Sequence, residues 1–247
     1  MNSFRIGFTS TTFKKKTVAE VVEIAKKAGV RYVEWGENYH VNSIDDAKAA
    51  KALCDEAGIE ICSYGSYYRA GCGDAEKWKQ ICKIAAAMGA ESVRIWLGTK
   101  NSEDTDEALR KALLEDTKRM CRVAAEYSLL VCAECHDNTF NNNTDVILSF
   151  VKELGAENFK TYFQSRYFRF EYDMDRIDRT YSITENVHVS YSEVTREQRF
   201  RKKDKSYLDA ILKKYREKNY GGIVMIEFTS RASERAFIKD VEKLRKY

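Results

Sequence analysis

One rhythm runs through this chain and limits what it can fold into. A short β-branched or aromatic run is followed by a loop, then by an amphipathic helical stretch, and the pattern recurs eight times. The strand-forming runs are residues 4–9, 31–35, 59–64, 92–96, 129–134, 159–164, 185–190 and 223–228. The helical runs are 17–28, 46–57, 75–88, 105–128, 145–154, 173–181, 206–218 and 233–247. In the first of them Val18, Val21, Val22 and Ala25 form one apolar stripe. Glycines at 29, 58, 89 and 155 follow helical runs, where a left-handed cap is expected. Thr17 with Glu20 reads as a capping box; Ser233 lacks the acidic partner three residues on. Eight βα units in 247 residues is the pitch of a (β/α)8 barrel, for which about 250 residues is typical. The α/β rival, a doubly wound open sheet, would usually carry a glycine-rich turn after its first strand. The turn here, Thr9-Ser10-Thr11-Thr12-Phe13-Lys14, has no glycine. The expectation is a single (β/α)8 TIM barrel spanning 1–247, with no linker or low-complexity tract to divide it.

Composition narrows the functional classes. With 44% hydrophobic and 32% charged residues the chain reads as globular. No apolar run approaches the ~18 residues of a membrane helix. The start of the chain lacks the apolar core of a signal peptide, so a cytoplasmic location is expected. Proline is absent. A net charge of +4 gives no case for a nucleic-acid surface. The one basic run, Arg199-Phe200-Arg201-Lys202-Lys203-Asp204-Lys205, reads as a solvated loop that could also line the rim of an anion-accepting site. Seven cysteines, an odd number in a chain this long, read as reduced thiols packed as small hydrophobes. Cys132-Ala133-Glu134-Cys135-His136 spells a haem-attachment or redox pattern. On a strand, however, positions 132 and 135 point to opposite faces, so both are chance matches.

Strand alternation sorts the remaining residues. If Val93, Ile95, Val131, Ala133, Val187, Val189, Val224 and Ile226 pack under helices, their neighbours face the barrel axis. The inward set near the strand C-termini is then Glu34, Arg94, Trp96, Glu134, His136, Gln164, His188 and Glu227. Barrel enzymes keep their sites at that end. Buried carboxylates need cationic partners. All three histidines, His40, His136 and His188, fall at or just after a strand's C-terminal end. Glu134, Gln164, His188 and Glu227 come one each from four consecutive strands. Three oxygen donors and one imidazole suit a divalent ion such as Mn²⁺ or Mg²⁺, with Co²⁺ or Zn²⁺ as alternatives. The competing reading is a metal-free network in which Glu134 and Glu227 pair with Arg94 and other basic groups.

At these residues the sequence resembles the xylose isomerase-like barrel superfamily, the sugar isomerase and epimerase group. The resemblance rests on Tyr32-Val33-Glu34-Trp35-Gly36, His40-Val41, Ser63-Tyr64-Gly65-Ser66-Tyr67-Tyr68 and Val93-Arg94-Ile95-Trp96-Leu97-Gly98. It continues through Glu134-Cys135-His136, Tyr162-Phe163-Gln164, Val187-His188-Val189 and Ile226-Glu227-Phe228. It implies a metal held by Glu134, Gln164, His188 and Glu227, with Gln164 standing where the sugar epimerases often have Asp. It also implies that Glu134 and Glu227 act as acid/base groups. His136 and Arg94 would orient substrate hydroxyls or offset charge; His40, Glu34 and Trp96 would wall the site, and Arg231 would touch substrate.

A divalent ion that polarises a carbonyl acidifies the neighbouring C–H and stabilises the enediolate. Two glutamates on opposite sides of a ketose or aldose, phosphorylated or not, could then move the proton between faces or between carbons. The expected function is therefore a metal-dependent sugar isomerase or epimerase. A hydro-lyase acting on a polyol or keto-polyol begins with the same proton abstraction and is the runner-up. A non-catalytic ligand-binding barrel is a remoter alternative. A DNA-repair role of the endonuclease IV kind would need a histidine-rich zinc cluster that three histidines cannot build. The partners expected are a small sugar or polyol, with no nucleic acid and no membrane. Specificity is expected in loops 65–74 and 192–205, and a homo-oligomer is compatible with the sequence.

Overall fold

Each strand's alternation and each helix's stripe can be satisfied together only if the strands are covered outside by helices and filled inside by their own alternate side chains. The computed structural model, which describes residues 4–165, 169–191 and 207–247, has that arrangement. Eight parallel strands close into a barrel in chain order. They are β1 Arg5–Thr9, β2 Tyr32–Gly36, β3 Glu60–Ala70, β4 Ser92–Leu97, β5 Leu130–Glu134, β6 Phe159–Gln164, β7 Thr184–Val189 and β8 Ile223–Ile226. Arg5 pairs with Ile223 across the closing seam, so the sheet has no open edge. Among the described residues the surrounding helices are α1 Val18–Ala28, α2 Ile44–Ala57, α3 Ala75–Ala87, α4 Glu107–Ala125, α5 Thr144–Leu154, α6 Phe170–Thr180, α7 Tyr207–Glu217 and α8 Glu234–Leu244. Loop 192–205, including the basic run 199–205, lies outside the described residues.

Local chemistry sets the helix ends. Thr17 caps α1 in a capping box with Glu20, and Gly29 closes it at φ 65°. α2 starts two residues earlier than the apolar pattern suggests. Ser43 caps it, and the Asp46 carboxylate accepts back from the Ser43 N–H, a second capping box with Asp in place of Glu. Gly58 and Gly155 close α2 and α5 in the left-handed conformation.

Two expected boundaries are corrected. β3 does not end at Tyr64; after a register shift between Gly65 and Arg69 it resumes pairing, Arg69 opposite Trp96. Much of loop 65–74 is therefore extended backbone, which suits the β-forming Tyr67 and Tyr68. β8 ends at Ile226 rather than Phe228, because Phe228 takes φ 62°, a conformation no strand tolerates.

The outer core packs the helices onto Val33, Val93, Val131, Val187 and Val224. Inside, Cys62, Cys132, Tyr162, Ile223 and Met225 form an apolar floor. The polar residues stand above that floor. No disulfide joins the seven cysteines. No helix among the described residues is long and apolar enough to cross a membrane.

Candidate active site

The polar layer is built one strand at a time. β2 delivers Glu34, β4 Arg94 and Trp96, β5 Glu134, and β7 His188; Glu227 follows the last residue of β8. Glu34, Arg94, Glu134 and His188 are all buried. Arg94 is the central cation. Its Nε donates to Glu34 Oε1 at 3.1 Å and its Nη1 to Glu134 Oε2 at 2.7 Å. Trp96 Nε1 donates to the same Glu134 oxygen at 2.6 Å. His188 Nδ1 lies 3.0 Å from Glu134 Oε1 and 3.4 Å from Glu227 Oε2. Gln164 Nε2 donates to Glu227 Oε2 at 3.0 Å. The edge of Tyr162, part of the floor, supports the His188 ring with centroids 5.2 Å apart.

Electrostatics here are set by competition between burial and pairing. Burial alone would raise the Glu134 pKa; Arg94 and His188 outweigh it and hold the carboxylate well below its usual range. Burial would lower Arg94, but Glu134, Glu34 and Glu227 keep it charged and raise it. Burial would likewise lower His188, yet the Glu227 and Glu134 carboxylates push it up to about 10.

Glycine makes room for the layer. A Cβ on Gly65 would stand 2.7 Å from Glu34 Oε1 and 2.9 Å from Arg94 Nη2. No side chain fits there, which also accounts for the interruption of β3.

The fit to a divalent ion can be tested on the donors themselves. Glu134, His188 and Glu227 each offer a ligand atom within 4.8 Å of the others. Adjacent ligands on an octahedral ion with bonds of ~2.1 Å sit about 3 Å apart, close to the separations of His188 Nδ1 from the two carboxylates. Among the described residues His188 Nε2 is buried with no hydrogen-bond partner, 3.9 Å from Glu34 Oε1. A ligating imidazole characteristically turns its second N–H toward a carboxylate. The Gln164 amide has both an acceptor oxygen and a donor nitrogen, so it suits a ligand role or a hydrogen-bonding one. These residues fit the group.

The inward residues do not all meet. Glu34, Arg94, Trp96, Glu134, Gln164, His188 and Glu227 form one connected network. His136 stands at the rim, its ring 5.6 Å from Trp96 and its Nδ1 on the Asp137 carbonyl. His40 lies apart. Its Nδ1 meets Ser10 Oγ at 3.0 Å, its Nε2 meets the Lys16 carbonyl at 3.1 Å, and its ring packs on Trp35, an outward residue. The physical reason is that the chain turns outward after Gly36, behind the barrel wall. Arg231 also lies outside the network, beside a cavity between the β1–α1 and β8–α8 loops.

The sequence reading does not include Tyr67, Tyr39 and Arg69 in the site. The Tyr67 ring packs edge-on to Trp96 at 5.4 Å, and Tyr39 meets Tyr67 at 6.3 Å. Arg69 covers the Trp96 ring at 4.5 Å and donates to the Gly98 carbonyl at 2.9 Å. Residues 65–70 read locally as a loop, which hides this aromatic rim; the Tyr67-Tyr68 pair is its one signal.

A closed barrel with an acidic and histidine cluster at the C-terminal mouth is the arrangement in which barrel enzymes work. The chain belongs to the xylose isomerase-like TIM barrel family, whose model matches residues 22–247. No protein of curated function matches the sequence. Among solved structures, the probable 3-DHS dehydratase AsbF of Bacillus anthracis superposes with TM-score 0.79 at 15% identity, covering 97% of this chain and 98% of that one. The 3-keto-D-glucoside 4-epimerase YcjR of E. coli gives TM-score 0.77 at 17% identity, covering 99% and 100%. A D-psicose 3-epimerase gives 0.72 at 17%, covering 92% and 86%. At such identities the likeness establishes the fold, and neighbours of one shape carry out different reactions.

Proposed function

We propose that this protein is a divalent-metal-dependent isomerase or epimerase of a ketose or aldose. The observation that carries the reading is the convergence of Glu134, His188 and Glu227 within ligating distance at the barrel mouth. Glu134, His188 and Glu227, with Gln164 beside them, would hold the ion. When bound, the ion supplies Lewis-acid polarisation of a substrate carbonyl and lowers the barrier to removing the adjacent proton.

The chain's own residues do the rest. Glu134 accepts from Arg94 and Trp96 on one oxygen and faces His188 on the other, so it is held ionised and fixed in orientation. Glu227 meets only His188 and the Gln164 amide within the network and is the more accessible carboxylate. It is therefore the freer of the two to take a substrate proton. Return of that proton to the same carbon from the other side gives epimerisation, and return to the neighbouring carbon gives isomerisation. Trp96 and Tyr67 line the side from which a sugar face would enter.

That asymmetry also favours a second reading. One mobile base beside a fixed carboxylate suits elimination of water from a polyol or keto-polyol, and a probable dehydratase is among the neighbours of similar fold. Solvent deuterium separates the two: exchange into recovered ketose without loss of water supports isomerase or epimerase, and a dehydrated product overturns it.

The direct test is metal analysis of the purified protein with a ketose panel, wild type against Glu227→Gln. The variant is expected to lose turnover by more than about a hundredfold, the scale of general-base loss, and to bind the metal more weakly. Undiminished turnover removes Glu227 from this role.

A further inference from the structure

Beside the cluster, on the same face of the barrel, lies a cavity of about 650 Å³ walled by the β1–α1 and β8–α8 loops. Its lining is strongly basic. Lys14, Lys15, Lys16 and Arg231 all border it, against the single carboxylate of Glu20. Lys16 faces Glu20 at 3.6 Å. Among the described residues, the other three cations meet no carboxylate. The chain as a whole is nearly balanced, with 42 basic and 38 acidic residues, so this excess is local.

Three features distinguish this wall from ordinary surface lysines. First, the lysine loop is pinned. Buried His40 ties its two ends, one nitrogen on Ser10 Oγ and the other on the Lys16 carbonyl, and the Lys16 N–H donates to the Phe13 carbonyl at 2.9 Å. Second, the Lys14 ammonium stands 4.8 Å from the Tyr39 ring centroid and 5.4 Å from that of Phe228. Aromatic faces orient a cation without neutralising it. Third, the opposite wall holds a costly backbone. Phe228, Arg231 and Ala232 take φ of 62°, 56° and 50°, a region where non-glycine residues are strained and which is over-represented at ligand sites. The Phe228 N–H donates to Thr12 Oγ1 at 3.0 Å, joining the two walls.

The cavity adjoins the reaction centre, since Phe228 directly follows Glu227. We propose that it is a subsite for a phosphate group carried by the substrate, so that the protein acts on sugar phosphates. This rests on the proposed isomerase or epimerase reading. Three cations without a carboxylate partner suit a dianionic phosphate monoester better than a single carboxylate. Arg231 can engage two phosphate oxygens, while Lys14 and Lys15 act as point charges. The volume falls within the range of small-molecule sites.

The first measurement uses inorganic phosphate on the full chain, by calorimetry at low ionic strength with chloride as the control. Saturable binding is expected, weakened about tenfold or more in Arg231→Ala and in Lys14→Ala, the loss of one charge-assisted hydrogen bond. Lys48→Ala, on the exposed face of α2, is expected to bind as wild type. Absence of saturable binding, or equal loss in Lys48→Ala, overturns the proposal. The second measurement is competition in metal-loaded protein. A ketose phosphate is expected to displace inorganic phosphate, and the unphosphorylated ketose to displace it at least about tenfold less well. Failure of the ketose phosphate to displace it marks a site for free anions only and overturns the proposal as well. Because phosphate binding needs no turnover, the Glu227→Gln protein separates this result from failure of the proposed reaction.

Discussion

Glu34 shows how much one buried side chain can decide. It is 1% exposed, too deep to wall a substrate site, and it bridges toward both Arg94 and His188. Its place depends on the missing side chain at Gly65. Gly65→Ala is expected to push the Glu34–Arg94 pair apart and destabilise the fold by roughly 1–3 kcal/mol, the usual cost of overpacking. Urea unfolding read by tryptophan fluorescence measures it, and an unchanged midpoint would mean that the pair can yield. His40 offers a prediction of a different kind. Burial lowers its pKa against two backbone hydrogen bonds that raise it. The unfolded chain then binds the proton more tightly than the folded one. The stabilising contribution of neutral His40 is full above the unfolded value of about 6.5 and is lost as pH falls through the lower folded value. The stability difference between wild type and His40→Gln should therefore shrink between pH 7.5 and pH 5 in urea titrations. A constant difference would show that the ring stays neutral in both states.

At the scale of elements, the sequence is most legible where local chemistry is strong. The four helix-ending glycines and the Thr17–Glu20 box act through contacts a few residues apart, and each stands where its pattern indicates. The Ser43–Asp46 box is equally local, but Asp rather than Glu at the third position obscures it. Ser43→Ala should cost about 1 kcal/mol of stability, the usual value of an N-cap, seen as a lower urea midpoint with unchanged slope. No measurable shift of the midpoint would mean that Asp46 alone caps the helix. Strand ends are less legible. β3 resumes beyond Gly65 because Arg69 finds Trp96 across the sheet, and β8 stops early because Phe228 is pinned to Thr12. Both are long-range contacts with no local signature.

At the scale of the molecule, closure of the barrel seals most of the thiols away. Six of the seven cysteines are buried and Cys72 is exposed. Burial raises Cys54 to about 11 and Cys82 and Cys121 to about 12, far from the reactive thiolate. A thiol reagent should therefore titrate one cysteine quickly in the native protein and all seven in denaturant. Two or more fast-reacting thiols would contradict the packing. The alternation that buries Cys62 and Cys132 also aims Glu34, Arg94, Glu134 and His188 at the axis. A period of two is enough to assign a face, so the inner and outer sets can be read from the chain alone. Which inner residues touch, and in what order, cannot.

The amino-acid order fixed the βα rhythm, the helix caps and the side of the sheet each side chain takes, because these depend on neighbours a few residues away. Only the closed barrel decided that Arg94 lies between two glutamates, that His40 turns behind the wall while His188 turns inward, and that three lysines meet Arg231 across a cavity. Those outcomes depend on the stagger between strands and on loops from opposite ends of the chain, and no local spacing encodes them.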